Sequence, residues 1–237
     1  MIKNSAPYAE IKLTIPLLDV KTEAFHLLEN KLYATHRSND ALGWNVFTLY
    51  GEGAYMTIGG DYGDKENYHW TDLALKHCPK TVEWVQNLPY TELYRVRFMF
   101  LEPDGYIKIH HDKEPEEQLG YTQVDDAMNI AISHPKDCYM RMVYENKFND
   151  VPFKDGTSFF FNNRYFHYVN NPGINTRIHM IIHAKWSPLD LQYPKLKLHD
   201  LHYLKHPDFV YSNNSWNNKK ALDEKIRSYS PDLSDYC

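Results

Sequence analysis

The sequence of 237 residues is poor in cysteine, and its cysteines follow no pairing pattern. Cys78, Cys138 and Cys237 are odd in number and include no Cys-x-x-Cys spacing. A disulfide framework is therefore not expected, and thiols in a reducing compartment are predicted. The N-terminus has no apolar signal-like segment, and no apolar run reaches the ~18 residues that a membrane-spanning helix needs. These absences predict a cytoplasmic protein without a membrane partner.

The chain also lacks the excess of basic residues that is typical of nucleic-acid-binding proteins. Its 31 acidic and 26 basic residues give a formal charge of −5. The sequence contains no Gly-x-Gly-x-x-Gly or Walker pattern that would bind phosphates, and no Gly-x-Ser-x-Gly motif for a nucleophilic serine. We therefore expect neither a nucleic-acid partner nor catalysis by a nucleophilic serine.

Aromatic residues are plentiful, at 15% of the chain, and they accompany many short strand-like segments. Helical patterns occur at 19–32, 71–75 and 81–88, with a further polar helical pattern at 216–227. From residue 93 onward, short segments separated by Pro, Gly, Asn and Asp predict a β-sandwich or jelly roll. The predicted strands are 8–18, 44–50, 95–101, 106–112, 128–134, 139–144, 157–161, 166–170 and 177–184. We expect one domain over residues 1–186, in which the helices support the sheet, and a C-terminal extension over 187–237.

The segment Leu101–Asp112 carries the first chemical signal. On a strand, residues two positions apart share a face, so His110 and Asp112 are expected to project together, while Ile107, Ile109 and His111 face the other way. One imidazole and one carboxylate on a face, with a second imidazole supplied later in the chain, form the ligand set of a non-haem Fe(II) site. His167 is the candidate second imidazole. His111 competes with His110, but it would have Lys113 instead of an acid two positions later.

Arg177 is predicted beside His167. The turn signal at 170–173 suggests a hairpin centred near Pro172, which would place the two residues opposite each other on neighbouring strands. A guanidinium beside a metal-bound imidazole suits a dicarboxylate that chelates iron at one end and binds the arginine at the other. An ordinary cross-strand ion pair is the alternative role for Arg177.

Other polar residues on the predicted strands are weaker candidates. His179 shares the face of Arg177 and could orient a ligand, and Ser158 is placed similarly but could simply fill its strand. Arg97 and Arg141 could replace Arg177 or bind an acidic group of the substrate.

The order of these motifs resembles the 2-oxoglutarate-dependent Fe(II) oxygenases, most closely the aspartyl/asparaginyl β-hydroxylase-like branch, which includes proline cis-hydroxylases. The resemblance extends from about Gly43 to Trp186 and rests on His110-x-Asp112, His167 and Arg177, supported by the segments 43–51, 82–89, 95–101 and 153–161. It implies a double-stranded β-helix (a jelly roll of the cupin-like type), that is, a mainly β fold with flanking helices (α+β). Fe(II), 2-oxoglutarate and O₂ would be its cofactor and cosubstrates.

The sequence also departs from the family pattern. The family commonly has Arg-x-His before its middle strand, where this chain has Ala127-Met-Asn129, so Asn129 is a candidate replacement in binding the iron-side carboxylate of 2-oxoglutarate. Asp112 supplies a metal carboxylate that the animal aspartyl hydroxylases of the family lack. The implied activity is hydroxylation of an amino acid or peptide side chain. A metalloenzyme that does not use 2-oxoglutarate, and a jelly-roll binding module without catalysis, remain alternatives. The sequence does not indicate an oligomeric state.

Overall fold

The structure, a computed structural model, describes residues 8–36, 38, 41–56, 67–110, 127–144, 147–161 and 166–186. The helices in this part of the chain are α1 (Leu17–Glu29), α2 (Asp72–His77) and α3 (Pro79–Gln86). The strands are β1 (Tyr8–Ile11), β2 (Ala34–Thr35), β3 (Ala41–Gly51), β4 (His69–Trp70), β5 (Tyr90–His110), β6 (Ala127–Ser133), β7 (Tyr139–Tyr144), β8 (Lys147–Asp150), β9 (Ser158–Phe161), β10 (His167–Asn171) and β11 (Arg177–Trp186). The predicted extension at 187–237 lies outside the described residues.

The longest strand, β5, runs through both layers of the fold. Up to Leu101 it pairs with β3 on one side and β11 on the other. From Gly105 onward its partner on the β11 side is β10 instead. The hydrogen-bonded order β1-β9-β6-β11-β5-β10-β7-β8 therefore divides at β5 into two antiparallel layers. The first layer contains β1, β9, β6, β11 and the beginning of β5, and the second layer contains the end of β5, β10, β7 and β8. This is the mainly β, double-stranded β-helix architecture that the sequence predicted.

The bend of β5 between its two parts depends on tight backbone contacts. Asp104 has a positive φ of 58°. A Cβ on Gly105 would lie only 2.7 Å from the carbonyl oxygen of Glu102, so the chain can turn here only with glycine. The fully buried Asn171, at the end of β10, places its Nδ2 3.0 Å from the Leu101 oxygen and 2.9 Å from the Glu102 oxygen. One side chain thus links β10 to the bend.

Two apolar clusters lie on opposite faces of the first layer. On one face, α1, α2 and α3 pack against strand residues such as Phe98, Phe100 and Met180. On the other, a cluster joins residues of both layers, among them Leu101, Ile107, Ala131, Met142, Phe159 and Val169. Because side chains alternate along a strand, each strand of the first layer presents apolar residues to the helices and its remaining residues to the space between the layers.

The helical layer is tied together by a carboxylate of α1. Glu23 accepts hydrogen bonds from the backbone N–H groups of Lys80 and Thr81, each at 2.9 Å, and from the Thr81 hydroxyl at 2.6 Å. The first N–H groups of a helix have no partner within it, and the positive end of the helix dipole favours an anion. Glu23 therefore fixes the start of α3 against α1. In the described part of the chain, no helix is long and apolar enough to cross a membrane.

The predicted hairpin between His167 and Arg177 is wrong. β10 and β11 do not pair with each other; both run antiparallel to β5, with His167 opposite His110 and Arg177 opposite Leu101. The segment between them carries the chain from the second layer to the first, alongside the bend of β5. The Asn-Asn-Pro-Gly sequence marks the break between two strands, but the chain does not reverse there: it bends at 173–175, and β11 continues along β5 in the direction of β10.

Smaller differences concern the ends of elements. Residues 8–18 alternate as a strand would, yet β1 ends at Ile11 and α1 already begins at Leu17, directly after Pro16. Proline is well suited to a position at a helix start because it lacks the N–H that would have no partner there. The strand β8 and the two-residue strands β2 and β4 were not predicted from the sequence.

Asn171→Asp is expected to lower the free energy of unfolding by about 2–4 kcal/mol, because it removes both amide donors and places a carboxylate against buried carbonyls. Urea unfolding measures the change. Asn170→Asp is the matched control, since Asn170 is half-buried and donates only to the Tyr139 hydroxyl, at 3.1 Å. Its loss should stay below about 1 kcal/mol. Equal losses in the two variants would contradict the role assigned to Asn171.

Candidate functional site

His110 and His167 lie side by side on neighbouring strands. They are register partners between β5 and β10, their ring centroids are 4.3 Å apart, and their planes are inclined by 52°. Nδ1 of His110 lies 2.7 Å from the carbonyl oxygen of Lys108. Since a carbonyl can only accept, Nδ1 donates, and in the neutral form of the ring Nε2 then has the lone pair. This is the tautomer in which an imidazole binds a metal through Nε2 while its other nitrogen is held by the protein.

An irregularity in β5 determines where His110 points. His167 pairs with His110, but Val169, two residues later, pairs with Ile107, three residues earlier. The additional residue on β5 is a β-bulge, and it brings Ile107 and His110 to the same, inward face. Strict alternation had placed Ile107 on the face opposite His110, so that detail of the prediction is wrong. Bulges commonly redirect a side chain next to an active site.

Arg177 is a buried cation at the start of β11, with 4% of its surface exposed. Ion pairs within the described residues are formed by Lys21, Lys80 and Arg141, and none of these involves Arg177. Its Nε is buried and has no hydrogen-bond partner among those residues. Burial lowers the pKa of Arg177 to about 10, which still leaves it charged at neutral pH. A buried charge without a counter-ion is costly, so this position suits an anionic ligand.

Two histidines connect Arg177 to the main chain. Nη2 of Arg177 lies 2.8 Å from Nδ1 of His179, and Nε2 of His179 lies 2.9 Å from Nδ1 of His134. Nε2 of His134 is 3.0 Å from the carbonyl oxygen of Cys138. Burial, together with the nearby charge of Arg177, lowers the pKa of His134 to about 4 and that of His179 well below its usual value. Both rings are therefore neutral at neutral pH.

Arg97 and Asn129 also face the space between the layers. Arg97 pairs in register with Thr48 and Ile181, and Asn129 is the partner of Ile181 on the other side. Both side chains are buried. The pKa of His36 is lowered to about 4 by burial and then by the charges of Arg97, Arg95 and His110, which places these groups close together. Arg97 thus lies in the same region as His110.

Ser158 and Arg141, by contrast, lie away from this region. Ser158 pairs in register with Ile130 on the helix-facing side, where its hydroxyl donates to the Ile11 carbonyl oxygen at 2.7 Å. Arg141 donates to Asp150 at 2.6 Å and to the Tyr168 hydroxyl at 3.0 Å, on the side of β7 opposite the buried Met140 and Met142. The predictions that these two residues bind cosubstrate or substrate are corrected accordingly, since each alternates to the wrong face of its strand.

Asp112 and its competitor His111 lie outside the described residues, so the third metal ligand stays a prediction. Within the part of the chain that is described, no three His, Cys, Asp or Glu side chains converge on one point. The two imidazoles and the arginine are the predicted site residues that the structure places between the layers, together with His179, Asn129 and Arg97.

Two members of this region, His134 and His36, were not predicted from the sequence. The predicted strand 128–134 included His134, but β6 ends at Ser133, so strand alternation does not give the direction of this side chain. Its position follows from the register in the structure, in which Ser133 pairs with Ile178 and the next residue lies beside Arg177. His36 stacks on Trp44 with ring centroids 3.6 Å apart, and nothing in the local sequence indicates that contact.

Comparisons with known proteins bear on the whole domain. Residues 17–187 match the aspartyl/asparaginyl β-hydroxylase family. No curated protein matches the sequence. Similar solved structures include a Pseudomonas putida prolyl-4-hydroxylase, with 12% identity, a TM-score of 0.46, and 76% of this chain and 94% of that chain covered. A viral collagen prolyl hydroxylase of Paramecium Bursaria Chlorella virus-1, in complex with 2-oxoglutarate, has 12% identity, a TM-score of 0.47, and 77% and 98% covered.

A third similar structure is a prolyl hydroxylase from Trichoplax adhaerens in complex with a peptide of hypoxia inducible factor, with 15% identity, a TM-score of 0.46, and 76% and 84% covered. Assignment to a family rests on the sequence match, which spans most of the chain and includes every site residue considered above. The chain therefore belongs to the aspartyl/asparaginyl β-hydroxylase family, as its sequence had indicated.

Proposed function

We propose that this protein is an Fe(II)- and 2-oxoglutarate-dependent dioxygenase that hydroxylates an unactivated C–H bond of an amino acid or peptide side chain. A proline or an Asp/Asn-like side chain is the proposed substrate. The observation that carries the proposal is the adjacent pair His110 and His167, with His110 held as the Nε2 ligand tautomer. Two imidazoles on neighbouring strands can hold one ion together when their rings lie side by side within a few ångströms of each other. The observed 4.3 Å fits that arrangement.

Fe(II) would be held by His110, His167 and Asp112, which leaves positions for 2-oxoglutarate and O₂. Arg177 would bind the carboxylate of 2-oxoglutarate that is distant from the metal, and Asn129 would contact the carboxylate near it. Arg177 fits this role because it is buried, charged and without a carboxylate partner in the described part of the chain. A dicarboxylate would supply the missing negative charge.

When bound, iron and 2-oxoglutarate would supply the oxidising chemistry, in which one oxygen atom of O₂ enters the substrate as hydroxyl and the other enters succinate, with release of CO₂. The residues of this chain bind and orient. The Lys108 carbonyl fixes the ring of His110, and the apolar residues between the layers, such as Ile107 and Met142, exclude water. Arg97 would bind an anionic group of the substrate, since it faces inward near His110.

His167→Ala is expected to abolish two signals, because it removes one of the proposed ligands. The first is the weak visible absorption that appears when Fe(II) and 2-oxoglutarate are added anaerobically, and the second is succinate release with O₂. His26→Ala, which removes an exposed imidazole of α1, is the control and should retain both. Persistence of both signals in His167→Ala would refute the ligand role.

The same titration separates the alternatives. A metalloenzyme of another type would consume O₂ without 2-oxoglutarate. A binding module without catalysis would neither bind Fe(II) nor gain thermal stability from it.

Arg177→Ala is expected to raise the KM for 2-oxoglutarate by about 30-fold or more, since loss of one partner of a buried ion pair costs about 2–5 kcal/mol. Arg141→Ala is a matched control, because Arg141 lies on the outward face of β7 and its KM should stay near that of the wild type. Steady-state succinate release at varied 2-oxoglutarate provides the measurement. A similar rise in both variants would exclude a specific contact with Arg177.

Arg97→Leu is expected to raise the KM for the amino acid or peptide substrate about tenfold, with a smaller effect on 2-oxoglutarate, because a charge-assisted hydrogen bond contributes about 1.5–3 kcal/mol. The substrate is first identified by screening free amino acids and short peptides for stimulated succinate release. If Arg97→Leu changes the 2-oxoglutarate requirement instead, Arg97 belongs to the cosubstrate site.

A further inference from the structure

Arg177, His179, His134 and the Cys138 carbonyl form a hydrogen-bonded chain whose direction is fixed at both ends. The guanidinium can only donate, so Nδ1 of His179 must accept at the first contact, of 2.8 Å. The carbonyl of Cys138 can only accept, so Nε2 of His134 must donate at the last contact, of 3.0 Å. The middle contact, of 2.9 Å, then runs from Nε2 of His179 to Nδ1 of His134.

The number of protons matches this direction. Three hydrogen bonds need three protons, and one guanidinium N–H with two neutral imidazoles supplies three. A further proton on His179 would reside on Nδ1 and face the N–H of Arg177. A further proton on His134 would face the N–H of His179. Only the doubly neutral state satisfies every contact, and the lowered pKa values of both rings agree with it.

Packing and the main chain hold the two rings in place. Phe153 lies across both, with its ring centroid 4.4 Å from His179 and 5.3 Å from His134. The backbone N–H of His134 donates to Asp155 at 2.7 Å, and Asp155 in turn pairs with Lys21 of α1 at 2.8 Å. The position of His134 is therefore fixed from the helical layer, independently of Arg177.

We propose that His134 is a positioning residue for Arg177: acting through His179, it fixes the rotation of the guanidinium so that the remaining N–H groups can bind one carboxylate together. This inference rests on the proposed binding of 2-oxoglutarate at Arg177. A flexible arginine would lose rotational freedom when the ligand binds, whereas one already held by His179 loses less. His134 itself does not contact the ligand.

Two substitutions separate the hydrogen bonds from the volume of the ring. His134→Phe keeps a ring but supplies neither acceptor nor donor. His134→Gln can accept from His179 through its amide oxygen and donate to the Cys138 carbonyl through its amide nitrogen. Val151→Ala is the control for a general loss of packing. Val151 belongs to the apolar cluster between the layers that contains Phe153, but its side chain takes no part in the hydrogen-bonded chain from Arg177 to Cys138.

The experiment measures ¹⁵N shifts of the histidine rings in the metal-free protein, the Kd for 2-oxoglutarate with Fe(II) under anaerobic conditions, and kcat. The wild type should show His179 and His134 as neutral Nε2–H tautomers. His134→Phe should alter the ring signals of His179 and raise the Kd for 2-oxoglutarate about tenfold, with kcat at saturation and Fe(II) affinity unchanged. His134→Gln and Val151→Ala should stay within about threefold of the wild-type Kd.

Several results would overturn the proposal. A wild-type His179 that is protonated, or that carries its proton on Nδ1, excludes the chain as described, whatever the ligand. Unchanged 2-oxoglutarate affinity in His134→Phe, or equal losses in His134→Phe and His134→Gln, excludes positioning through hydrogen bonds. Absence of 2-oxoglutarate binding in the wild type overturns the proposed function, whereas normal binding in the wild type with an unchanged Kd in His134→Phe overturns this inference alone.

Discussion

The bend of β5 is the constraint on which the arrangement of the site depends. One strand supplies Leu101, the register partner of Arg177, in the first layer, and His110 in the second. Two residues make this continuity possible: Gly105, where a side chain would collide with the Glu102 carbonyl, and Asn171, which donates to the carbonyls before the bend. The residues proposed to bind the two ends of the ligand are therefore set against one continuous strand, which fixes their separation.

The interior between the layers contains more ionisable side chains than an ordinary core. Arg97, Arg177, His179 and His183 are all buried on inward faces. Transfer of such groups from water is unfavourable, and burial of apolar side chains on the other face of the same strands offsets this cost. There, residues such as Phe98, Phe100 and Met180 are fully buried against the helices, and each contributes roughly 1.5–3 kcal/mol. The helical layer thus stabilises a sheet whose inner face bears buried polar and charged side chains.

The general fold and the family were predictable from the sequence, as was the proximity of His110 to His167. Alternation and turn residues indicated a jelly roll, and the order of His110, His167 and Arg177 indicated the family, which the match over residues 17–187 confirms. Alternation failed where the backbone is irregular. The bulge before His110 changes the face of Ile107, and local sequence does not reveal a bulge.

Long-range pairing was the second source of error. The turn residues at 170–173 predicted a hairpin between β10 and β11. Both strands pair with a third strand, β5, and the local sequence carries no information about that pairing. The strands that contain Ser158 and Arg141 were predicted correctly, and both residues were therefore candidates for the site. Which face of a strand points inward, however, depends on its register with neighbouring strands. His134 was missed for the same reason, since its contact with His179 joins residues that are 45 positions apart.

The use of both faces of each first-layer strand has a consequence for natural variation. Met180 lies between Arg177 and His183 in the sequence, and its side chain packs against the helices while theirs point to the opposite face. A change of volume at Met180 or Phe98 would shift the backbone that bears the polar groups behind it, because close-packed interiors transmit strain. Variants with substitutions only on the face that packs against the helices can thus differ in substrate preference, even when the residues that contact the substrate are identical.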